Sequence, residues 1–288
     1  MQTLKFRRRL ASFGTLLAAL LASGCERAWF GVVNRGAAPP DTSVQFAAAQ
    51  QLSLDIYRPR GLAAGAEAAP VLVFFYGGNW QRGSRAQYRF VGRRLADAGV
   101  LTMVADYRTW PRAGFPDFVH DAAAAVAWTH AHAREYGGDP ARLFVSGHSA
   151  GAQIAALVGT DARYLARHGL RPKQLAGVIG LSGPYDFEVT GQYQPIFGPP
   201  SQWPQAQAVN FVDGDEPPFL LIHGDADQVV DPADSRQMAA GLQARGIHTE
   251  LLLLPGAGHL APMSGLYSPP RSPQVLPTML DFIRRGNR

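Results

Sequence analysis

The strongest constraint on this chain is a series of short, nearly continuous apolar runs that recur along its length. Each run is three to six residues long, which is the length of a strand and too short for a helix. Strands that are buried on both faces of a parallel sheet have this composition. The runs lie at residues 71–76, 101–105, 143–145, 178–181, 219–222 and 251–254.

Stretches with helical spacing of apolar residues alternate with these runs. The stretches that end at residues 98, 136 and 245 stop at a glycine, which is a common signal just past a helix. Strand and helix alternating many times predict an α/β fold with a mostly parallel, doubly wound sheet flanked by helices. Catalytic residues are then expected in loops at the carboxyl ends of the strands. The stretches lie at residues 89–98, 118–136, 150–158 and 235–245, and an alternating segment at 52–57 predicts one further strand.

One of the predicted loops carries a nucleophile motif. Gly147-His148-Ser149-Ala150-Gly151 matches G-x-S-x-G, follows the run at 143–145 and opens the helix at 150–158. A nucleophile elbow requires this succession of strand, turn and helix. We therefore predict that Ser149 is a catalytic nucleophile. The alternative is a glycine-rich structural turn with an ordinary serine.

A serine hydroxyl needs a base and an acid that orients the base, and in this architecture the acid precedes the histidine. His259 follows the last apolar run on a glycine-rich loop and is the predicted base. The other histidines are expected to be structural or solvated, with His148 pointing away from Ser149. Three acids compete for the third place: Asp225, a candidate turn residue, Asp227, and Asp231, a candidate helix cap before Pro232.

Adjacent glycines follow the first buried run, in Tyr76-Gly77-Gly78-Asn79-Trp80. Glycine lets the backbone approach a reacting group closely. Backbone N–H groups aimed at the oxyanion of an acyl-transfer intermediate stabilise its transition state. The predicted donors are the N–H groups of Gly78, Asn79 and Ala150, and a plain structural turn is the alternative.

Composition argues against several other chemistries. The chain has one cysteine and no convincing cluster of metal ligands, so neither a metal nor another cofactor is expected. Residues 1–24 carry four basic residues and no acid, and without them the formal net charge falls from +5 to +1. That balance leaves no basic surface for nucleic acid. No feature implies a protein partner.

The first residues have the pattern of an export signal. A basic stretch precedes an apolar run at residues 10–22, which is too short to span a bilayer. Residues 21–25, LASGC, resemble the cleavage and lipidation box of bacterial lipoproteins. The resemblance implies a lipid anchor at Cys25, and Glu26 after it implies sorting to the outer membrane. An ordinary secreted protein with an incidental cysteine is the alternative.

From about residue 54 onward, the motifs resemble the esterase/lipase branch of the α/β hydrolases. The pattern is most similar to small carboxylesterases related to prenylcysteine methylesterases and kynurenine formamidases. It implies the α/β-hydrolase fold, and its H-G-x-x-D-x-V motif selects Asp227 as the acid of the triad. Tyr76 stands where the family usually has a histidine that stabilises the oxyanion loop. Asp106 and Arg108, in a further shared motif, are expected to be structural anchors.

Together these residues predict a serine carboxylesterase that hydrolyses a small-molecule ester through an acyl-serine intermediate. An amidase of the arylformamidase type and a lipid-anchored, non-catalytic binding protein remain alternatives. The segment between Asp186 and Glu216 is too short for a large lid and predicts a short cap. The candidate pocket residues are Trp80, Tyr185, Phe187 and Trp203, and the expected organisation is a signal peptide over 1–24, a lipidated tether over 25–50 and a catalytic domain over 51–288.

Overall fold

The computed structural model describes residues 28–60 and 67–286. Contacts divide the chain into one unit of residues 1–37 and another of residues 38–288. In the first unit, residues 28–33 are helical, and the amide of Asn34 donates to the carbonyl of Phe30 at 3.1 Å. Cys25 and the predicted signal peptide lie outside the described residues.

Eight strands of the second unit form one sheet. They are β1 Thr42–Ala47, β2 Leu52–Tyr57, β3 Ala69–Phe75, β4 Leu101–Ala105, β5 Gly138–His148, β6 Gly177–Leu181, β7 Phe219–Gly224 and β8 Thr249–Leu254. Their order across the sheet is β1-β2-β4-β3-β5-β6-β7-β8. The pairs from β4 to β8 are parallel, whereas β2 pairs antiparallel with both β1 and β4. This mostly parallel sheet confirms the predicted fold class.

Helices flank the sheet and connect its strands. They are α1 Arg89–Asp97, α2 Asp117–His132, α3 Ala150–Thr160, α4 Ala162–Ala166, α5 Gln194–Phe197, α6 Pro232–Ala244, α7 Ala261–Tyr267 and α8 Val275–Arg285. Among them, α3 packs on β5 and β6, and α6 packs on β7 and β8. Strands β4, β6 and β7 are buried at every position, which explains their uninterrupted apolar character.

The amino-terminal edge of the sheet differs from the expectation. Residues 42–47, which the sequence pattern places in a tether, form β1 and pair with β2. The strand is only partly buried because it lies at the sheet edge, so it lacks the apolar signature of the inner strands. The sheet therefore begins before residue 51.

The predicted short cap lies between β6 and β7. It consists of α5 and three single-turn or short 3-10 helices rather than a large lid. These are Gly191–Tyr193, Pro200–Ala206 and Ala208–Phe211. Because the segment crosses the carboxyl ends of the parallel strands, it covers the edge where a site is expected in this fold.

Candidate active site

Ser149 occupies the sharp turn between β5 and α3. Its backbone has a φ of +55°, a region that costs an L-residue free energy and that is common at functional sites. The turn needs glycine on either side, because a Cβ at Gly147 would clash with the Gly151 carbonyl and one at Gly151 with the Phe75 carbonyl. The amide of Ser149 donates to the carbonyl of Leu181 in the neighbouring strand at 2.9 Å. The turn has the backbone geometry of a nucleophile elbow.

Asp227 and His259 meet beside this elbow. The Nδ1 atom of His259 lies 2.8 Å from Oδ2 of Asp227, and the carboxylate has no exposed side-chain surface. The backbone amides of Val229 and Val230 donate to the other oxygen, Oδ1, at 2.8 and 3.1 Å. His223, which we expected to be structural, also contacts Oδ2 at 3.1 Å. Both oxygens of Asp227 thus accept hydrogen bonds. Because a carboxylate oxygen only accepts, Nδ1 is the protonated ring nitrogen of His259.

Opposing effects set the charge of Asp227. Burial raises its pKa, but hydrogen bonds from His223 and His259 outweigh burial and leave the pKa well below the ordinary carboxyl value. The carboxylate is therefore an anion at neutral pH. An anion at this position stabilises a positive charge on His259 when that ring accepts a proton.

The two competing acids have other partners. The prediction that Asp225 hydrogen-bonds the backbone of its own turn is wrong. Its Oδ1 accepts from the amide of Gly256 at 2.6 Å and so anchors the loop that carries His259. Asp231 accepts from the amide of Ala233 at 2.9 Å and caps α6, as predicted from the proline that follows it.

The glycine-rich loop after β3 lies directly against the elbow. A Cβ added at Gly77 would lie 2.9 Å from Nδ1 of His148 and 3.1 Å from the Cβ of Ser149, so a side chain at this position would force the elbow to shift. Gly78, Asn79 and Trp80 all have positive φ, at +133°, +56° and +57°. Asn79 lines the same cavity as Ser149, whereas Gly78 does not. Ala150 opens α3 directly after Ser149.

Tyr76 stabilises this loop in place of the family's histidine. Its ring stacks on Tyr107 with 4.4 Å between centroids, and each hydroxyl donates to the other residue's carbonyl, at 3.1 and 2.9 Å. The neighbouring motif is structural, as expected. Asp106 forms an ion pair with Arg85, and Arg108 forms one with Asp121, with 2.8 Å between its guanidinium nitrogen and Oδ1 of the acid.

A cavity of about 490 Å³ opens above Ser149. Trp80 and Phe187 line it as predicted, and their rings stack with 5.2 Å between centroids. Two predicted pocket residues do not. Tyr185 is fully buried against Gly180 and Gly183 in the core, because its ring fills the space that the glycines leave. Trp203 lines a separate groove and donates to the carbonyl of Gly198 at 2.9 Å.

The sequence did not indicate the chemistry of the cavity wall. Four carboxylates face the cavity, and no lysine, arginine or histidine is among the described residues that line it. In the described part of the chain, none of the four forms an ion pair with a basic side chain. Burial raises the pKa of one of them, Asp234, to about 7. The four are Asp186, Glu188, Asp231 and Asp234.

Gln153 is another residue that the sequence did not single out. It lies on α3, one turn after the nucleophile, and is fully buried. Its Oε1 accepts from the indole N–H of Trp80 at 3.1 Å, and its Nε2 donates to the carbonyl of Ala206 at 2.8 Å. Gln153 therefore connects the oxyanion loop to the cap. Only the partners, which are distant in sequence, reveal this role.

Over residues 28–60 and 67–286, no helix is long and apolar enough to cross a membrane. Within the same ranges, no group of three or more histidine, cysteine, aspartate or glutamate side chains is placed to hold a metal ion.

Comparison with known proteins shows similarity to esterases. Esterase LipC of Mycobacterium tuberculosis is 32% identical over 227 residues, which are 72% of this chain and 56% of LipC. Isoprenylcysteine alpha-carbonyl methylesterase ICME of Arabidopsis thaliana is 31% identical over 229 residues, which are 72% of this chain and 53% of that protein. The chain spans about half the length of the curated relatives it matches.

Solved structures and a family model complete the comparison. The propionate-bound esterase Est2 of Thermogutta terrifontis superposes with a TM-score of 0.72 at 26% identity, over 85% of this chain and 93% of that one. The sheet, the elbow and the Asp227–His259 pair define a protein of the α/β-hydrolase fold. A family model described as BD-FAE matches residues 54–242. The chain belongs to the BD-FAE family.

Proposed function

We propose that this protein is a serine carboxylic ester hydrolase. The observation that carries the proposal is the buried, ionised carboxylate of Asp227 at 2.8 Å from Nδ1 of His259, beside a serine on a strained elbow. The similarity to named esterases and methylesterases supports the same reaction class. A structural turn would need neither the carboxylate nor the strain.

The reaction proceeds in two halves. His259 removes the proton of the Ser149 hydroxyl through Nε2 as the oxygen attacks the ester carbonyl carbon. The N–H groups of Gly78, Asn79 and Ala150 hold the oxyanion that forms. The intermediate collapses, the alcohol leaves with the proton from His259, and an acyl-serine remains. Water, deprotonated by His259, then attacks the acyl carbon. The bond from that carbon to Oγ of Ser149 breaks, His259 returns the proton to Oγ, and the carboxylic acid leaves.

A short acyl chain fits the proposal. The structural relative from Thermogutta terrifontis has been observed with propionate and with butyrate bound. In this chain, Trp80 and Phe187 stand beside Ser149 as an aromatic wall of the cavity. We therefore expect esters of three or four acyl carbons, as in those complexes, to be among the best substrates.

The proposal is tested by comparing kcat/KM for p-nitrophenyl esters of increasing acyl length with kcat/KM for N-formyl aromatic amides. Ser149→Ala measured in parallel supplies the non-enzymatic background. We expect short-chain esters to give the highest values. A preference for the formamides would assign the protein to the arylformamidase type instead. Turnover of neither class above the Ser149→Ala background would favour a non-catalytic binding protein.

We further propose that the enzyme is an exported lipoprotein anchored through Cys25, on the outer membrane as Glu26 implies. The support is the LASGC box at residues 21–25 and the basic and apolar stretches before it. Expression of the wild type and Cys25→Ser in a Gram-negative host, followed by membrane fractionation, tests this. The wild type is expected with the membranes and the variant in the soluble fraction, and equal fractionation of the two would refute the anchor.

A further inference from the structure

His148 is a buried imidazole that the ester hydrolysis scheme does not use. It is 3% exposed and precedes the nucleophile. Both ring nitrogens nevertheless have partners on other elements. Nε2 lies 3.2 Å from the backbone carbonyl oxygen of His259, and Nδ1 lies 3.4 Å from the hydroxyl of Tyr88. The ring therefore touches the catalytic-histidine loop on one side and the segment before α1 on the other.

The charge state of His148 fixes the direction of these hydrogen bonds. Burial, reinforced by the neighbouring His259, lowers the pKa of His148 to about 3, so the ring is neutral at physiological pH. A neutral imidazole has one donor and one acceptor. A carbonyl oxygen only accepts, so Nε2 of His148 carries the proton and donates to His259. Nδ1 is then the acceptor of a hydrogen bond that the Tyr88 hydroxyl donates.

The hydroxyl of Tyr88 has a second partner on the oxyanion loop. The amide of Gly77 donates to this oxygen at 3.2 Å. The hydrogen bonds thus run in one direction: from the Gly77 amide to Tyr88, from Tyr88 to His148, and from His148 to the carbonyl of His259. Each group in the series donates or accepts in the sense its chemistry allows, and the Tyr88 hydroxyl does both. We call Tyr88 and His148 the buried pair.

The two ends of the series are the two parts of the site that must keep a fixed distance. Gly77 immediately precedes Gly78 and Asn79, the proposed oxyanion donors. His259 is the proposed base, whose side chain is held by Asp227 while its carbonyl is held by His148. Small displacements of such groups lower the rate of the chemical step, because the donors stabilise charge only at the correct distance.

We propose that Tyr88 and His148 are positioning residues that lock the oxyanion loop to the backbone of the catalytic histidine. The inference rests on the proposed function, since it assigns the pair a role in that same reaction. The neutral state of His148 is consistent with this role. The His148 and His259 ring centroids are 4.9 Å apart, and a second positive charge there would oppose protonation of His259 during catalysis.

The first experiment removes one hydroxyl. Tyr88→Phe deletes the link between Gly77 and His148 while it keeps the ring. Tyr57→Phe deletes another buried tyrosine hydroxyl, one that has no hydrogen-bond partner in the described part of the chain and does not line the cavity. With a short-chain p-nitrophenyl ester, we expect Tyr88→Phe to lower kcat about tenfold, less than the loss of an oxyanion donor itself. The KM of Tyr88→Phe should stay within about twofold of the wild-type value, because neither Tyr88 nor His148 lines the cavity. Tyr57→Phe should leave both constants unchanged.

A double-mutant cycle separates a joint role from two independent structural roles. If the pair acts as a unit, Tyr88→Phe combined with His148→Leu should lose no more activity than the more damaging single change. Losses in kcat that multiply would contradict the proposal, as would a kcat of Tyr88→Phe equal to that of Tyr57→Phe. Wild-type turnover in the same assay tests the esterase proposal by itself.

Nitrogen-15 NMR of labelled histidines tests the pair without any substrate. The His148 resonances, identified by their absence in His148→Gln, should report a neutral ring with the proton on Nε2 from about pH 5 to about pH 9, where an ordinary histidine titrates. Tyr88→Phe should shift the Nδ1 resonance, because its hydrogen bond is lost. The inference would be overturned if His148 titrated in this range or carried its proton on Nδ1. It would also be overturned if the Nδ1 resonance of His148 were the same in Tyr88→Phe as in the wild type.

Discussion

At the scale of single residues, the site depends on how completely Asp227 is engaged. Two backbone amides and two imidazoles contact its two oxygens. Such a carboxylate orients His259 and stabilises the imidazolium that forms during catalysis. The same contacts distinguish it from Asp225 and Asp231, each of which accepts from one backbone amide and contacts no histidine.

The substitution Asp227→Asn should therefore cut kcat by at least about a thousandfold, as expected for loss of the orienting acid in a triad. Asparagine keeps the size of the side chain but removes the negative charge and one acceptor. We expect Asp225→Asn and Asp231→Asn to stay within about tenfold of the wild type, because an amide oxygen can still accept from Gly256 or Ala233. Steady-state kinetics on folded variants decide this, and an inactive Asp225→Asn with an active Asp227→Asn would reassign the acid.

At the scale of elements, the start of α6 combines a cap with a buried acid. Asp231 caps the helix ahead of a proline in its first turn, and Asp234 lies in the same turn, 7% exposed. One oxygen of Asp234 accepts from the amide of Asp186 at 3.3 Å. Burial outweighs this bond and raises the pKa of Asp234 from 3.8 to about 7. This turn thus holds a carboxyl group that is protonated over much of the acidic range.

This raised pKa predicts a dependence of stability on pH. As pH rises from about 4 to about 7, the unfolded chain loses the proton of Asp234 while the folded chain retains it, so ionisation favours the unfolded state. Asp234→Asn removes that loss and keeps the acceptor for Asp186. Urea unfolding at the two pH values measures this. The free energy of unfolding of Asp234→Asn minus that of the wild type should be larger at about pH 8 than at about pH 4, which means that the variant is relatively more stable at the higher pH. A difference that is the same at both pH values would contradict the assignment.

At the scale of the whole molecule, the cavity brings together carboxylates from the cap segment and from α6. Their field should favour neutral or positively charged substrates and repel anions. We expect p-nitrophenyl acetate to have a kcat/KM about tenfold above that of the monoanionic p-nitrophenyl hemisuccinate at low salt. Raising the ionic strength should lower the ratio of the two kcat/KM values toward one. Glu188→Gln should lower the same ratio at constant salt. Equal values for the two esters at low salt would show that the wall carries no selectivity.

The sequence predicts the inner fold well because buried parallel strands have a composition of their own. The runs from residue 71 onward all correspond to strands β3 to β8. The edge strand β1 escapes prediction, because half-exposed edge positions carry no such signal. Helix α8 is also absent from the sequence prediction, although its buried residues Val275, Met279, Phe282 and Ile283 follow helical spacing.

The site is less evenly predictable. Ser149 and His259 lie in local motifs that are enough to propose their roles. Asp227 competes with two neighbouring acids, and only the resemblance to a known family selects it. The cavity wall is different, since Asp186 and Asp234 are distant in sequence and meet only through tertiary packing. Tyr185 shows the reverse failure: an aromatic residue next to a strand end is predicted to line the pocket, yet fills the core. Side-chain direction at the end of a strand decides such cases, and composition does not encode it.

The identity of the nucleophile is the central claim, and covalent labelling tests it most directly. The wild type and Ser149→Ala should be treated with a fluorophosphonate probe, digested and mapped by tandem mass spectrometry. We predict a single modification on Ser149 in the wild type and none in the variant, with both proteins folded. Labelling that persists in Ser149→Ala, or a wild-type modification on another residue, would contradict the account.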